Sequence, residues 1–254
     1  MFNKERLDEI LNILDNEGKV KVKDLSKKFS VTEDCIRKDL KQLEQMDKLQ
    51  RTYGGAIKLR RSKQNYEFSD RKKIDISKKS IIAKKALDII EDRDTIFLDL
   101  STTNILIAKL LASSKKRVTV VTNMLDIINI LSSEDNNIIV IATSGILSKN
   151  LHGFIGPVTI DLIRRYKFDK SFIGSCGIDV FDKSITTFDI EDGITKTAII
   201  ESSKKTFLVM ENQKFYTDGN YKFATIADVQ GIITDAVPND EIVNILNEYN
   251  IELY

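Results

Sequence analysis

The feature that most constrains the fold is a repeated alternation of short apolar runs and polar clusters beyond Asp92. The runs are five or six residues long, and amphipathic helical patterns often follow them. They read TIFLDL, VTVVT, IIVIAT, KSFIGS, TFLVM and GIITD. Short strands that alternate with helices are typical of an α/β domain with a largely parallel sheet. Further helices are expected over residues 77–91 and 240–250.

Polar residues gather where these predicted strands end. The carboxyl ends of parallel strands share one edge of a sheet, where open α/β sheets bind ligands, so these residues are expected to converge on one crevice. They are Asp99, Ser101, Thr102, Thr103, Asn123, Ser144, Gly145, Gly174, Cys176, Lys214 and Asp235. Hydroxyls and backbone amides at residues 101–103 would suit a phosphate, with Lys196 and Lys214 adding positive charge. The alternative is that these hydroxyls only cap the next helix.

The first 58 residues carry a different pattern, which predicts short helices. Apolar residues at three- and four-residue spacing predict a first helix over residues 4–15, and a second, shorter helix is expected over residues 22–29. Thr32 is a favourable N-cap for a third helix, whose inward stripe is formed by Ile36, Leu40 and Leu43.

A hairpin is predicted after the third helix. KLQRTYGGAIKL reads as two short strands folded about Gly54 and Gly55, because paired glycines supply the positive φ angles of a tight turn. Three helices followed by a hairpin indicate a winged helix-turn-helix, in which the third helix enters the DNA major groove. The alternative is that the charged outer face of that helix is merely solvated.

The charge distribution favours an anionic partner for this first module. Residues 1–63 contain 16 Lys/Arg and 11 Asp/Glu, whereas the rest of the chain contains 23 and 27. A small basic module therefore precedes a mildly acidic one.

The segment TEDCIRKDLKQLEQMDKLQRTYGGA resembles the signature of the DeoR family of bacterial transcriptional regulators. The matching residues are Arg37, Asp39, Leu40, Leu43, Arg51, Gly54, Gly55 and Ala56. The resemblance implies a winged helix-turn-helix domain over residues 1–58 that binds double-stranded operator DNA. The expected DNA-binding residues are Thr32, Asp34, Arg37, Lys38, Lys41, Arg51, Tyr53, Gly54 and Gly55. Lys38 stands where the family has a second arginine, so it keeps the charge without the two-pronged geometry.

The resemblance extends into the second half, where DLSTT and FDKSFIGSCGID follow family patterns. It implies a sensor domain over residues 75–254, similar in fold to ribose-5-phosphate isomerase, that binds a phosphorylated sugar as effector. The effector-binding residues expected from it and from the crevice are Asp99, Ser101, Thr102, Thr103, Asn123, Gly145, Gly174, Asp179, Lys196 and Lys214. Ser101 and Ser144 replace glycines of the family pattern. Residues 59–74 are polar and charged and are interpreted as a linker.

Several classes of site and location are disfavoured by composition. With Cys35, Cys176 and His152 as the only cysteines and histidine, no zinc site, other metal or cofactor is expected. The charged N-terminal segment, and the lack of any apolar run near the roughly 18 residues needed to cross a bilayer, predict a cytoplasmic protein.

Three hypotheses for the function follow. The first is a repressor of a sugar or polyol catabolic operon that binds a palindromic operator as a homo-oligomer and responds to a sugar phosphate. The second is a sugar-phosphate isomerase or lactonase with Asp99, Asp179, Glu191 or Asp192 as acid/base groups and Lys214 on the phosphate. The third is a constitutive DNA-binding protein whose pocket is degenerate, which Ser101 and Ser144 favour.

Overall fold

The computed structural model of the protein describes residues 2–58, 61–62, 68–132 and 136–254. Much of the predicted linker, residues 59–60 and 63–67, lies outside the described residues. Among the residues that are described, no helix has both the length and the apolar character needed to span a bilayer. We refer to residues 2–58 as the N-terminal unit and to residues 68–254 as the C-terminal unit.

The N-terminal unit has the predicted helices and hairpin. Its elements are α1 (Asn3–Glu17), β1 (Lys19–Lys21), α2 (Val22–Phe29), α3 (Glu33–Gln45), β2 (Leu49–Thr52) and β3 (Gly55–Lys58). The described part of this unit forms a three-stranded antiparallel sheet in the order β1-β3-β2. The predicted winged helix-turn-helix is therefore confirmed, with β1 as an additional strand.

The two glycines of the wing have different roles. The hairpin turns at Tyr53 and Gly54, and Gly54 has a φ of 82°. Gly55 already belongs to β3, where a Cβ would lie 2.0 Å from the carbonyl oxygen of Val20. Only glycine therefore allows β3 to approach β1 this closely.

A buried ion pair ties α1 to α3 beside the apolar core of the N-terminal unit. The Arg6 guanidinium donates to both carboxylate oxygens of Asp39, from Nε at 2.6 Å and from Nη2 at 3.0 Å. The side-chain amide of Asn3 donates to Asp39 as well, at 2.9 Å. Ile36, Leu40 and Leu43 are buried on the same helix, as their spacing predicts.

The C-terminal unit alternates strands and helices, and β4 (Arg61–Ser62) precedes it. Its first half consists of α4 (Phe68–Arg71), α5 (Ile76–Ile89), β5 (Thr95–Leu98), α6 (Thr102–Ala112), β6 (Thr119–Thr122), α7 (Leu125–Leu131), β7 (Ile139–Ala142), β8 (Ile146–Ser148), β9 (Gly153–Ile155) and α8 (Pro157–Arg164). Its second half consists of β10 (Phe168–Ile173), β11 (Gly177–Asp179), β12 (Ser184–Thr187), α9 (Ile190–Glu201), β13 (Ser203–Val209), the 3₁₀ helix η1 (Asn212–Tyr216), β14 (Thr217–Asp218), β15 (Tyr221–Thr225), the 3₁₀ helix η2 (Ile226–Asp228), β16 (Gly231–Ile233), α10 (Asp240–Glu248) and β17 (Glu252–Leu253).

Within the described residues, seven parallel strands form one sheet in the order β17-β16-β13-β10-β5-β6-β7. Each of the six apolar runs supplies one of these strands, and β17 adds an edge. One apolar cluster packs α5, α6 and α7 on one face, and a second packs α8, α9 and α10 on the other. The predicted parallel α/β fold is confirmed.

The regular alternation is interrupted where hairpins follow two of the strands. After β7 the chain forms the hairpin β8–β9, and after β10 it forms β11–β12, which joins β15 in an antiparallel sheet. Within the stretch predicted as linker, α4 packs onto the unit through Phe68, which is buried and lies 4.6 Å from the His152 ring.

Candidate functional site

The outward face of α3 presents charged side chains held in place by a capped helix. Thr32 is the N-cap, and its hydroxyl oxygen accepts a hydrogen bond from the amide of Cys35 at 3.2 Å. Lys38 and Lys41 are exposed, and neither forms an ion pair with any described residue. Both ammonium groups are therefore free to meet phosphates.

Arg37 is exposed and paired with the first turn of its own helix. Its guanidinium lies 2.7 Å from Glu33 and 2.6 Å from Asp34. Exposed pairs of this kind contribute little to stability, because water solvates both charges well. A DNA phosphate can consequently replace these carboxylates as the partner of Arg37 at small cost.

The wing places one aromatic ring beyond the sheet. Tyr53 is fully exposed at the tip of the hairpin. The backbone amide of Arg51 donates to Glu44 at 2.9 Å, which fixes β2 against the end of α3. The predicted DNA-binding residues are all exposed except Gly55, which is buried where β3 pairs with β1.

The C-terminal unit contains a buried cluster of charges at the ends of β5 and β10. Asp99 follows β5, and its Oδ2 accepts from the amide of Gly174 at 3.1 Å and from the ammonium of Lys196. Lys196 also lies 3.0 Å from Asp192 Oδ1. The structure thus brings together three predicted effector residues from β5, the end of β10 and α9.

The protonation of this cluster follows from burial and charge. Burial raises the pKa of Asp192, and the nearby Asp99 adds to that effect. Burial alone would lower the pKa of Lys196, but the two carboxylates outweigh it and raise the pKa. Lys196 is therefore a charged lysine already held between two aspartates, and not a free cation awaiting a phosphate.

Ser101 fits at the position of the family glycine because it caps α6. Its hydroxyl oxygen accepts from the amide of Asn104 at 3.1 Å. A Cβ on Gly174 would lie 2.5 Å from the Cβ of Ser101. The side chain of Ser101 therefore fits only because residue 174 is a glycine. Thr102 and Thr103 form the first turn of α6, half-buried and buried respectively.

Buried oxygens without a hydrogen-bond donor lie just after β5, β6 and β7 and in the first turn of α6. Among the described residues, no group donates to Asp99 Oδ1, Asn104 Oδ1, Asn123 Oδ1 or Thr143 Oγ1. Buried polar atoms are normally paired, so these acceptors mark a place where a ligand or water belongs. Asn104 and Thr143 were not among the predicted residues. An asparagine inside the apolar helix NILIAKLL was the available signal for the first.

Lys214 lies in a second charged cluster, at the end of β13. Its ammonium is 3.1 Å from Glu211, whose other oxygen is 3.6 Å from the buried Lys79. Burial would raise the pKa of Glu211, but Lys214, a backbone hydrogen bond and Lys79 lower it to about 2. Lys79 also lines, with Thr102, a groove of about 430 Å³ between α5, α6 and α7.

Two predicted effector residues lie apart from these clusters. Asp179 ends β11, and its carboxylate accepts from the amide of Phe181 at 2.8 Å, within the β11–β12 hairpin. Gly145 is exposed after β7, where a Cβ would meet Thr159. Asn123, by contrast, directly follows β6, and its side-chain amide donates to the carbonyl oxygen of Phe154 at 3.0 Å.

Comparison with known proteins matches both units. Residues 6–61 match the DeoR-like helix-turn-helix domain, and residues 74–236 match the DeoR C terminal sensor domain. The chain is 32% identical over 253 residues to the glycerol-3-phosphate regulon repressor of Escherichia coli, covering 100% of this chain and 99% of the relative. It is 30% identical over 237 residues to a lactose phosphotransferase system repressor of Staphylococcus epidermidis, covering 91% of each.

Similar solved structures include ribose 5-phosphate isomerase A from Neisseria gonorrhoeae, with a TM-score of 0.38, 15% identity and coverage of 54% of this chain and 52% of that one. Another is eIF2B beta from Chaetomium thermophilum, with a TM-score of 0.47, 17% identity and coverage of 68% and 53%. The two domain matches and the full-length relatives identify this chain as a member of the DeoR family of DNA-binding transcriptional regulators.

Proposed function

We propose that the protein represses a sugar or polyol catabolic operon and leaves its operator when a phosphorylated sugar binds. The observation that carries the effector half of this proposal is the set of buried acceptor oxygens around Asp99. Relatives named as repressors of a glycerol-3-phosphate regulon and of a lactose phosphotransferase system support the ligand class.

The proposed DNA-binding surface consists of the outward face of α3 and the wing. Within the described residues, Lys38 and Lys41 form no ion pair, and the guanidinium of Arg37 is paired with exposed carboxylates. Arginine reads guanine or phosphate with two parallel hydrogen bonds, whereas lysine contributes a point charge. We therefore assign sequence readout mainly to Arg37 and phosphate contacts to the two lysines.

The proposed effector site contains two kinds of polar group, one suited to sugar hydroxyls and one suited to a phosphate. The acceptor oxygens of Asp99, Asn104 and Asn123 suit the hydroxyl groups of a polyol or sugar, which donate hydrogen bonds. The amide groups of the first turn of α6 suit a phosphate, and Lys214 adds a cation that an anionic ligand can draw from Glu211. The ligand is thus a hydroxyl-rich chain with a phosphate at one end.

We further propose that the repressor acts as a homo-oligomer. Helix-turn-helix proteins read two half-sites with two copies related by a two-fold axis, so the operator would be palindromic. The proposed division of the chain is a DNA-binding domain over residues 1–58, a linker over residues 59–74 and a sensor domain over residues 75–254. Operator binding places the protein in the cytoplasm and requires no catalysis.

The test is a gel-shift titration of the purified protein against DNA upstream of its own gene and neighbouring genes. It is run at fixed salt with and without a panel of sugar and polyol phosphates. A specific complex that one compound dissolves is expected. If no such complex forms and the protein turns over a compound of the panel, the chain is a sugar-phosphate enzyme and the proposal is wrong.

Matched lysine variants show which surface meets DNA. Lys41→Ala should weaken binding to all sequences and lower the slope of log affinity against log salt by about 1. Lys84→Ala removes the same charge from an exposed position on α5 and should leave the slope unchanged. If both variants behave alike, α3 is not the DNA-binding helix.

A further inference from the structure

The 3₁₀ helix η1 connects the charged cluster of Glu211 and Lys214 to the N-terminal unit within five residues. Its entry is Glu211, which pairs with Lys214 at 3.1 Å at the carboxyl end of β13. Its last residue is Tyr216, which contacts the N-terminal unit. The predicted effector lysine and the interdomain contact are therefore separated only by Phe215, which is buried in the core.

The contact at Tyr216 is closely fitted. Its hydroxyl donates to the carbonyl oxygen of Glu17 at 3.2 Å, at the end of α1. Gly18 follows with a φ of 71° as the C-cap of α1, and a Cβ there would lie 1.9 Å from the ring of Tyr216. The tyrosine ring thus packs closely against a residue for which glycine is required by this packing as well as by its backbone angle.

Two residues of the α10 region complete this docking surface. Asn239 donates from Nδ2 to the Glu17 carbonyl at 3.3 Å and to the Tyr216 hydroxyl at 3.2 Å. Its Oδ1 caps α10 by accepting from the amide of Ile242. Glu241, in the first turn of α10, forms an ion pair with Lys19 at the start of β1. The surface therefore holds the C-terminal end of α1 by packing, hydrogen bonds and charge.

The first residues of η1 are held by hydrogen bonds and by the ion pair between Lys214 and Glu211, for which a bound phosphate would compete. Gln213 donates to Asp75, the residue before α5, at 2.9 Å, and the amide of Asn212 donates to Asp235 at 2.7 Å. A phosphate that binds Lys214 competes with Glu211 for the ammonium group. Glu211 then keeps Lys79 as its cationic partner. The hydrogen bonds within a 3₁₀ helix have poorer geometry than those of an α-helix, so they hold the backbone of η1 less firmly.

We infer that η1 transmits effector binding to the DNA-binding unit, through Lys214 at one end and Tyr216 docked on Glu17 and Gly18 at the other. This inference rests on the effector release proposed above. Ligand binding shifts an equilibrium only if the ligand favours one of two states. Here the two states are η1 with Lys214 on Glu211 and Tyr216 docked on α1, and η1 rearranged with the dock loosened.

The experiment measures operator affinity by fluorescence anisotropy, with and without the saturating sugar phosphate identified by gel shift. The ratio of the two dissociation constants is the coupling, and allosteric factors of about 5 to 150 are typical. In the full-length Tyr216→Ala variant the ratio should fall to nearly 1, and sugar-phosphate affinity in the absence of DNA should be no weaker than in wild type, because the variant already favours the state with the dock loosened. Linkage requires that DNA then no longer changes the sugar-phosphate affinity either.

Milder variants guard against loss of folding. Tyr216→Phe removes only the hydroxyl, and Tyr166→Phe makes the same change at a half-buried tyrosine after α8. Asn239→Asp keeps an oxygen to cap α10 but loses the Nδ2 donor. Lys19→Glu should lower the coupling ratio, and the exchange Lys19→Glu with Glu241→Lys should restore it.

The outcomes separate the inference from the function on which it rests. If wild type responds to a sugar phosphate and Tyr216→Ala, Tyr216→Phe and Lys19→Glu respond equally, η1 is not the transmitting element while effector release stands. If no compound changes wild-type operator affinity, effector release fails and the inference fails with it. A reduced ratio in the junction variants, with Tyr166→Phe at the wild-type ratio, supports the inference.

Discussion

Both units of the molecule bury charged side chains, but the two clusters differ in balance. In the N-terminal unit, Arg6 meets Asp39, and both carboxylate oxygens accept hydrogen bonds. In the C-terminal unit, Lys196 lies between Asp99 and Asp192, and Asp99 Oδ1 has no donor in the described part of the chain. The first cluster pairs one positive charge with one negative charge. The second holds more acceptors than donors.

The difference shows how one kind of interaction serves two purposes. A balanced pair fixes the packing of α1 on α3 and leaves no capacity for anything else. An unbalanced cluster keeps unmet hydrogen-bonding capacity at a strand end, where a hydroxyl group can satisfy it. Among the described residues, the N-terminal unit therefore has charges without ion-pair partners on its surface, at Lys38 and Lys41, whereas the C-terminal unit has unmet hydrogen-bonding capacity in its interior, at Asp99.

Asp39→Ala should have the largest effect, because it leaves the Arg6 guanidinium buried without its carboxylate. We expect the free energy of unfolding of the N-terminal unit to fall by about 3 to 5 kcal/mol. Urea unfolding of the full chain, followed by far-UV circular dichroism, measures this change. The double variant Arg6→Met with Asp39→Leu should recover much of the loss. If Asp39→Ala unfolds at the same urea concentration as wild type, the ion pair between Arg6 and Asp39 does not stabilise the N-terminal unit.

The second prediction concerns acid stability at the entry of η1. The folded pKa of Glu211 is about 2, below its ordinary value of 4.5. The carboxylate therefore contributes stability that is present above pH 4.5 and lost as pH falls towards 2, by about 3 kcal/mol. Glu211→Gln should flatten this part of the curve of unfolding free energy against pH.

Asp192→Asn serves as a control, because Asp192 should change the free energy of unfolding with pH in the opposite direction to Glu211. The folded pKa of Asp192 is raised, so its contribution is complete below the ordinary aspartate range and is lost as pH rises through the folded pKa. Asp192→Asn should flatten the curve on the high-pH side while keeping the acid-side loss. If both variants flatten the same side, the assignment of charges to the two clusters is wrong.

The third prediction compares the caps of α3 and α6. Thr32→Ala and Ser101→Ala each remove a side-chain acceptor and should each cost about 1 kcal/mol of unfolding free energy. Ser101→Gly should cost only a few tenths of a kcal/mol, since glycine is tolerated as an N-cap. Thermal unfolding of the three variants tests this order. A neutral Ser101→Ala would show that Ser101 does not stabilise α6.

The smallest effect on stability is expected for Arg37→Ala. The ion pairs of Arg37 are exposed, so the free energy of unfolding should change by no more than about 0.5 kcal/mol. The free energy of operator binding should become less favourable by about 1 to 3 kcal/mol if Arg37 contacts a base. Gel-shift titrations against the operator and against an unrelated duplex separate base readout from phosphate contact. Equal losses on both duplexes would assign Arg37 to phosphate alone.

The sequence predicts features that depend on local spacing. The periodicity of α1 to α3, the paired glycines of the wing and the apolar runs of the parallel sheet are all readable along the chain. The strand β1 was missed because three residues have no recognisable pattern until β3 pairs with them. Local chemistry also predicts the cap at Thr32, whose acceptor and donor are three positions apart.

Partnerships between distant charges could not be predicted. Asp39 matches the family signature, yet its partner Arg6 lies 33 positions away and is identified only by the packing of α1 on α3. Lys196 was predicted to add positive charge for a phosphate. The structure instead holds it on Asp99, 97 positions away, because the fold brings α9 within hydrogen-bonding reach of the residue that follows β5. Sequence patterns locate such residues, but only the fold shows which charges are already paired.

The dock between Tyr216 and Glu17 joins positions 199 residues apart, and this has a consequence for biosynthesis. At translation rates of about 5 to 20 residues per second, the ribosome makes Tyr216 about 10 to 40 s after Glu17. The winged helix-turn-helix therefore emerges, and has time to fold, long before the surface that holds it exists. A nascent chain passes through a stage in which the winged helix-turn-helix is complete but undocked, and docking on η1 is among the last steps of its maturation.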